Sequence, residues 1–278
     1  MKKPLILVGF LTLLCVAAFS DEIDSIEDTY VIKSDALSLD IDMDGGTIQV
    51  VPSNDRRDCR VLVSYSRNKT DVDLRFNQER GQLDISIDSD NWNFDDGEQA
   101  PKVIVELPYG PELSLQAHLK AGEADFDIGD LHLVDFQLRH WAGETKINFQ
   151  QPNRMVMRTF DVNVKVGEVD LLNLGNAMFE EADINSGIGE LTVDFQGEHV
   201  ENAMARIDLD IGETSIILPQ SMGAKLKVSK FLFLSEIDYP NWFEKRGSYY
   251  YSENYEQAAK SIYLMISTGI GELDIKID

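Results

Sequence analysis

Within one shared apolar frame the pair Gly-Glu recurs at positions 122, 143, 167, 189, 212 and 271, and the first four intervals are 21, 24, 22 and 23 residues. Around these pairs the chain reads "AHLKAGEADFDI", "LRHWAGETKINF", "VNVKVGEVDLLN", "INSGIGELTVDF", "IDLDIGETSIIL" and "ISTGIGELDIKI". A unit this short cannot bury an apolar face alone, so the copies must stack and share one core. Five residues before the Gly stand Ala117, Leu138, Val162, Ile184, Ile207 and Ile266. Immediately before it stand Ala121, Ala142, Val166, Ile188, Ile211 and Ile270, and four after it Phe126, Ile147, Leu171, Val193, Ile216 and Ile275. All are apolar, whereas the position four before the Gly is always polar, from His118 to Ser267. Each unit therefore reads as two strands of period two, all three apolar columns facing inward. The inward phase slips by one residue across Gly-Glu, which makes the pair a tight corner. Gly122, Gly143, Gly167, Gly189, Gly212 and Gly271 would supply its unusual backbone angles. A two-residue hairpin and the corner of a solenoid rung both satisfy this parity, and the regular period favours the rung. The expected fold is all-β: a β-solenoid of stacked ~22-residue two-strand repeats, with an antiparallel β-sandwich as the alternative.

The rest of the chain is organised around this array. Lys2 and Lys3, the apolar run from Leu5 to Phe19 and the small residues before Asp21 read as a signal peptide over 1–20. Cys15 follows Leu13 and Leu14, which argues against lipid attachment there. No later segment is apolar for long enough to span a membrane as a helix. Residues 21–34 read as an N-terminal extension. Residues 35–110 read as an irregular β region continuous with the repeat, and 111–278 as the regular repeats. An aromatic-rich insertion at 238–260 accounts for the 59-residue step from Gly212 to Gly271 and caps the last rung. Ser252 predicts the start of a short helix over 252–260.

The formal net charge is −24, and −26 once Lys2 and Lys3 leave with the signal. Such a field repels nucleic acid and anionic lipid headgroups. Without Cys15 the chain keeps one cysteine, Cys59, which shares a strand face with Val61, Val63 and Tyr65 and reads as a buried small hydrophobe.

The stretches "VIVELPYGPELSLQAHLKAGEADFDI", "LPQSMGAKLKV" and "FEKRGSYYYSENYEQAAKSIYLMISTGIGELDIKI" resemble the bacterial toast-rack, adhesin-like family. They are also similar to the C-terminal domain of cell-wall-antibiotic-response proteins. The resemblance covers residues 35–278 and is strongest after 180. It implies an all-β, solenoid-like protein of the cell envelope and supplies no catalytic residues.

Four stretches are candidates for chemistry. Stacked corners would align their glutamates in a column, so Glu168, Glu190 and Glu213 are candidate Ca²⁺ ligands, with a solvated edge as the plainer reading. "DIDMDGG" (40–46) resembles the start of a calcium loop, but position twelve is Val51, and the alternation of Leu37, Leu39, Ile41 and Met43 reads instead as a strand entering a Gly-Gly turn. "SDNWNFDDGE" (89–98) sets Trp92 beside Asp95 and Asp96, a composition that can hold a sugar or a cation. In the insertion, Trp242 and Tyr250 are candidates for a ligand platform. The four histidines show no zinc spacing, and no nucleophile elbow or phosphate loop occurs. The expected function is therefore an exported envelope binding or scaffolding module, without catalysis, that recognises an envelope protein or glycan. A polysaccharide-active enzyme and an envelope-stress sensing partner are the alternatives.

Overall fold

A computed structural model describes residues 23–89, 100–230 and 235–278. The signal-peptide reading of 1–20 lies outside these residues. The strands are β1 (Ile23–Val31), β2 (Ala36–Met43), β3 (Thr47–Pro52), β4 (Asp58–Ser66), β5 (Thr70–Asn77), β6 (Gln82–Ser89) and β7 (Lys102–Leu107). They continue with β8 (Glu112–Asp127), β9 (Leu133–Asn148), β10 (Met157–Leu172), β11 (Phe179–Asp194) and β12 (Asn202–Leu218). The last are β13 (Gly223–Lys230), β14 (Ser235–Asp238), β15 (Phe243–Arg246), β16 (Tyr249–Ser252) and β17 (Ser261–Ile277). The expected extension before residue 35 is in fact strand β1, paired antiparallel with β4. The helix expected over 252–260 does not form. Ser252 is spent elsewhere, accepting the Ala224 N–H at 2.8 Å, and the segment closes in turns.

Each Gly-Glu unit is one bent strand in parallel register with the next. Gly122, Gly143, Gly167, Gly189, Gly212 and Gly271 stand side by side along β8–β9–β10–β11–β12–β17. The parallel register is kept across the corner, skipping only the residue two before the Gly in each rung, which excludes the hairpin. The corner divides the sheet into two arms whose inner faces share a single core. The glycines are required by φ values of +122° to +146°, and by the neighbour: a Cβ on Gly189 would overlap the Gly167 carbonyl. Cross-rung ion pairs such as Arg139–Asp161, bidentate with both bonds at 2.7 Å, fix the register from outside.

Spatial order departs from chain order at both ends. β2 and β3 are the two arms of a rung stacked on β8, and β6 and β7 form the layer beyond them. "DMDGG" is therefore a rung corner, with Thr47 opposite Glu123, and the strand entering its Gly-Gly turn is the first arm of that rung. Antiparallel β5 finishes one arm, and β4 with β1 the other. At the far end β17 inserts between β12 and the β13/β14 rung, and the β15/β16 hairpin finishes the first arm.

The inward columns five before and four after the Gly are buried throughout. The column immediately before it is not. Val166, Ile188, Ile211 and Ile270 are 47, 49, 44 and 46 % exposed. The inner corner is instead made by residues three before and two after the Gly, for example Val164 with Val169, so the phase slip is achieved by turning four residues outward rather than two. Between the arms, rings from successive rungs stack: Phe136 on Phe160 at 5.3 Å, Phe126 edge-on to Phe136 at 5.5 Å, and Phe160 near Phe149 and Phe179. Cys59 is buried, and burial pushes its thiol pKa up to about 12, which leaves it inert at neutral pH.

One inner corner carries a titratable group. His140 is fully buried, and its Nδ1 lies 2.8 Å from the Thr145 hydroxyl. Burial lowers its pKa to about 4, with a backbone hydrogen bond at Ala142 opposing. Burial also lowers the pKa of His199. Both remain neutral when folded and charge when unfolded, so their contribution is full above pH 6.5 and is lost as pH falls toward the folded value. His140 alone makes folding weaker by roughly 1–2 kcal/mol between pH 6.5 and 5. The double change His140→Leu with Thr145→Ala copies the adjoining corner, Leu119 with Ala124. Urea unfolding of this variant is expected to fall less steeply with pH over that window than the parent; parallel curves would contradict the assignment.

Candidate functional site

Two outward surfaces carry chemistry. The first is the corner itself. The exposed side chains of Glu123, Glu144, Glu168, Glu190, Glu213 and Glu272 form the expected column, one per rung. Parallel neighbours sit about 4.8 Å apart, and the column is open to water. Among the described residues no three His, Cys, Asp or Glu side chains converge to hold a metal. The structure thus brings the calcium candidates Glu168, Glu190 and Glu213 into a row and does not gather them around a point. Beside the row runs the exposed aliphatic column that sequence reading had placed inside.

The second surface is the outer face of the first arm at its C-terminal end. Lys225 on β13 extends its ammonium over three tyrosines: 4.4 Å from the ring centroid of Tyr249, 4.8 Å from Tyr263 and 5.9 Å from Tyr251. Arg246 lies 5.3 Å above Tyr251, and Tyr255 meets Tyr251 edge-on at 5.1 Å. Lys227, one alternation along β13, shares the face and borders a shallow groove with Arg206, Ser229 and Met265. The ring faces supply the negative pole of a cation–π contact; Arg246 is ion-paired with Glu244 and Glu256, and Asp208 lines the groove beside Lys227. β13 carries Lys225, Lys227 and Lys230 and no acid, in a chain with 49 acidic residues.

The sequence candidates in the insertion are placed differently from this platform. Trp242 and Tyr250 are half-buried and pack on the core. Trp242 lies edge-on to Phe243 at 5.4 Å, and Tyr250 meets Tyr239 at 5.0 Å with Lys245 over its ring. Strand alternation separates Tyr250 from Tyr249 and Tyr251. That parity is visible in "SYYYS" and marks 249 and 251 as the pair sharing a face. Tyr263 and Lys225 come from strands that only the folded order brings alongside. Trp92, Asp95 and Asp96 lie outside the described residues.

Asp40 and Asp84 stand opposite each other on β2 and β6. Burial raises the Asp40 pKa, His118 opposes, and Asp84 and Asp42 add to the rise. No helix of the described residues is long and apolar enough to cross a membrane.

Residues 173–275 match the family model described as the C-terminal part of cell wall-active antibiotics response LiaF. No curated protein matches the chain. Among solved structures, a proposed cell adhesion protein from Clostridium sporogenes is 15% identical, with 92% of this chain and 100% of that one covered and a TM-score of 0.45. A proposed adhesin from Bacteroides fragilis is also 15% identical, covering 91% and 97%, with a TM-score of 0.39. A proposed lipid binding protein from Parabacteroides distasonis is 12% identical over the same shares, with a TM-score of 0.30. Residues 18–167, more than half the chain, match the model described as the N-terminal domain of toast_rack, DUF2154, and the chain with its bent parallel rungs belongs to the toast-rack family.

Proposed function

We propose that this protein is an exported binding module of the cell envelope, without catalysis, that uses the Tyr–Lys face at the C-terminal end of the rack to hold an anionic glycan. The observation that carries this reading is Lys225 set among Tyr249, Tyr251 and Tyr263. Tyrosine rings offer flat apolar faces to a pyranose ring, and Lys225 and Lys227 offer charge to its carboxylate or phosphate. The strongly acidic remainder of the surface repels anionic polymers, which confines their attachment to this one face. A rigid sheet suits such a task, because little side-chain and backbone freedom is lost on binding. The cell-wall description of the matched C-terminal family is in keeping with an envelope location.

Affinity electrophoresis in gels containing uronate-bearing or phosphate-bearing polysaccharide tests the proposal, with neutral dextran as control. The parent protein is expected to be retarded by the anionic polymers and not by dextran. Tyr249→Ala combined with Tyr251→Ala is expected to weaken retardation about tenfold, from the loss of two aromatic contacts. Equal mobility of parent and variant in every gel would remove the glycan reading.

A further inference from the structure

The aliphatic column on the corner is not needed by the corner. Ala121 and Ala142 occupy the same position in β8 and β9 with the same glycine geometry, and bulk grows along the stack through Val166 to Ile188, Ile211 and Ile270. Four branched side chains nearly half exposed on four successive strands form a continuous apolar strip, of the kind that marks an interaction surface. On one side the strip is bordered by Glu168, Glu190, Glu213 and Glu272. On the other, Gly187 contributes no side chain beside Ile188, and Lys165 and Asp210 stand beside Val166 and Ile211. A second copy of this chain would bring an identical glutamate column and its own charge of −24 against the first. Anionic membrane surfaces are repelled for the same reason.

We infer that this ridge docks a cationic amphipathic helix of a partner protein, its apolar stripe on the Val166–Ile188–Ile211–Ile270 ladder and its lysines or arginines along the glutamates. The rungs repeat every ~4.8 Å and a helix turns every ~5.4 Å, so three to four turns meet four rungs with small mismatch. Anchors at i, i+3, i+4 and i+7 supply one apolar contact per turn, and basic residues on one flank of that stripe face the acid column. The apolar strip gives affinity, and the glutamates set the polarity of the partner and its approach. The ridge lies apart from the Tyr–Lys face, so the inference is independent of glycan binding.

The probe is a labelled 14-residue peptide of leucine and lysine placed at helical amphipathic spacing, titrated with protein and followed by fluorescence anisotropy at physiological salt. A peptide of equal composition, scrambled so that no apolar face forms, is the control. Ile188→Ala with Ile211→Ala reproduces the corners already present at Ala121 and Ala142, so the fold is retained, and circular dichroism melting checks it. This variant is expected to lose at least tenfold in affinity for the amphipathic peptide and to be unchanged toward the scrambled one. Glu190→Gln with Glu213→Gln is expected to lose a similar factor, with a shallower salt dependence. An affinity within twofold of the parent for the isoleucine variant would overturn the inference. Equally tight binding of the scrambled peptide would do the same, since it would reduce the contact to bulk charge.

Discussion

Gly189→Val is expected to lower the melting temperature by about 10 °C, and Glu190→Ala to leave it within about 2 °C. The valine side chain meets two separate obstacles. Its backbone must hold φ near +144°, and its Cβ falls on the Gly167 carbonyl, itself fixed by the rung pairing on its other side. Strain and overlap each cost about 1–3 kcal/mol, so together about 3 kcal/mol or more. Glu190 points to water and loses only a screened charge. The same contrast is expected at Gly271 and Glu272, whose glycine meets the Gly212 carbonyl in the same way. Thermal melts of the four single variants check this, and comparable losses from the glycine and glutamate changes would refute the corner assignment.

Phe160→Ala should be as damaging for a different reason. The ring is fully buried and contacts Phe136, Phe149 and Phe179, so its removal opens a void between the arms that neighbouring rungs, locked by register, cannot close. Loss of a buried phenylalanine costs about 3–5 kcal/mol, again near 10 °C for a chain of this size. Trp141→Ala removes a larger ring that is 60 % exposed and is expected to change stability by about 0.5 kcal/mol or less. Chemical denaturation of the pair separates burial from ring size; equal effects would show that the aromatic column is not the core.

The repeat was legible because it is written in columns. Gly-Glu spacing and the inward positions at −5 and +4 are local facts of alternation, and they suffice for a stacked all-β rack. What alternation does not report is how many residues a corner turns outward. Counting parity, Ile188 can be inside or outside, since turning two or four residues yields the same slip; only the carbonyl packing behind Gly189 selects four. The cap illustrates a different limit. "SYYYS" shows that Tyr249 and Tyr251 share a face, but Lys225 and Tyr263 join them through the pairings Lys225–Tyr251 and Lys225–Tyr263, across 26 and 38 residues of chain, which no local pattern encodes. At Asp44-Gly45-Gly46 the corner has Thr47 where the other rungs have glutamate, and it keeps the positive-φ glycine, Gly46.

The placement of β17 has a consequence for how the molecule is made. The final strand of 17 residues lies between β12 and β13, both of which precede it in the chain. When β12 and β13 emerge, the space between them has no occupant, and their hydrogen-bonding edges are open templates for any extended segment. Rungs can accumulate in order from β8 to β12, but the C-terminal end is sealed only by the last stretch of the chain. The final residues act as a latch: until they seat, the newest part of the rack is its least protected part, and a chain cut short by a few dozen residues would lose closure and not merely length.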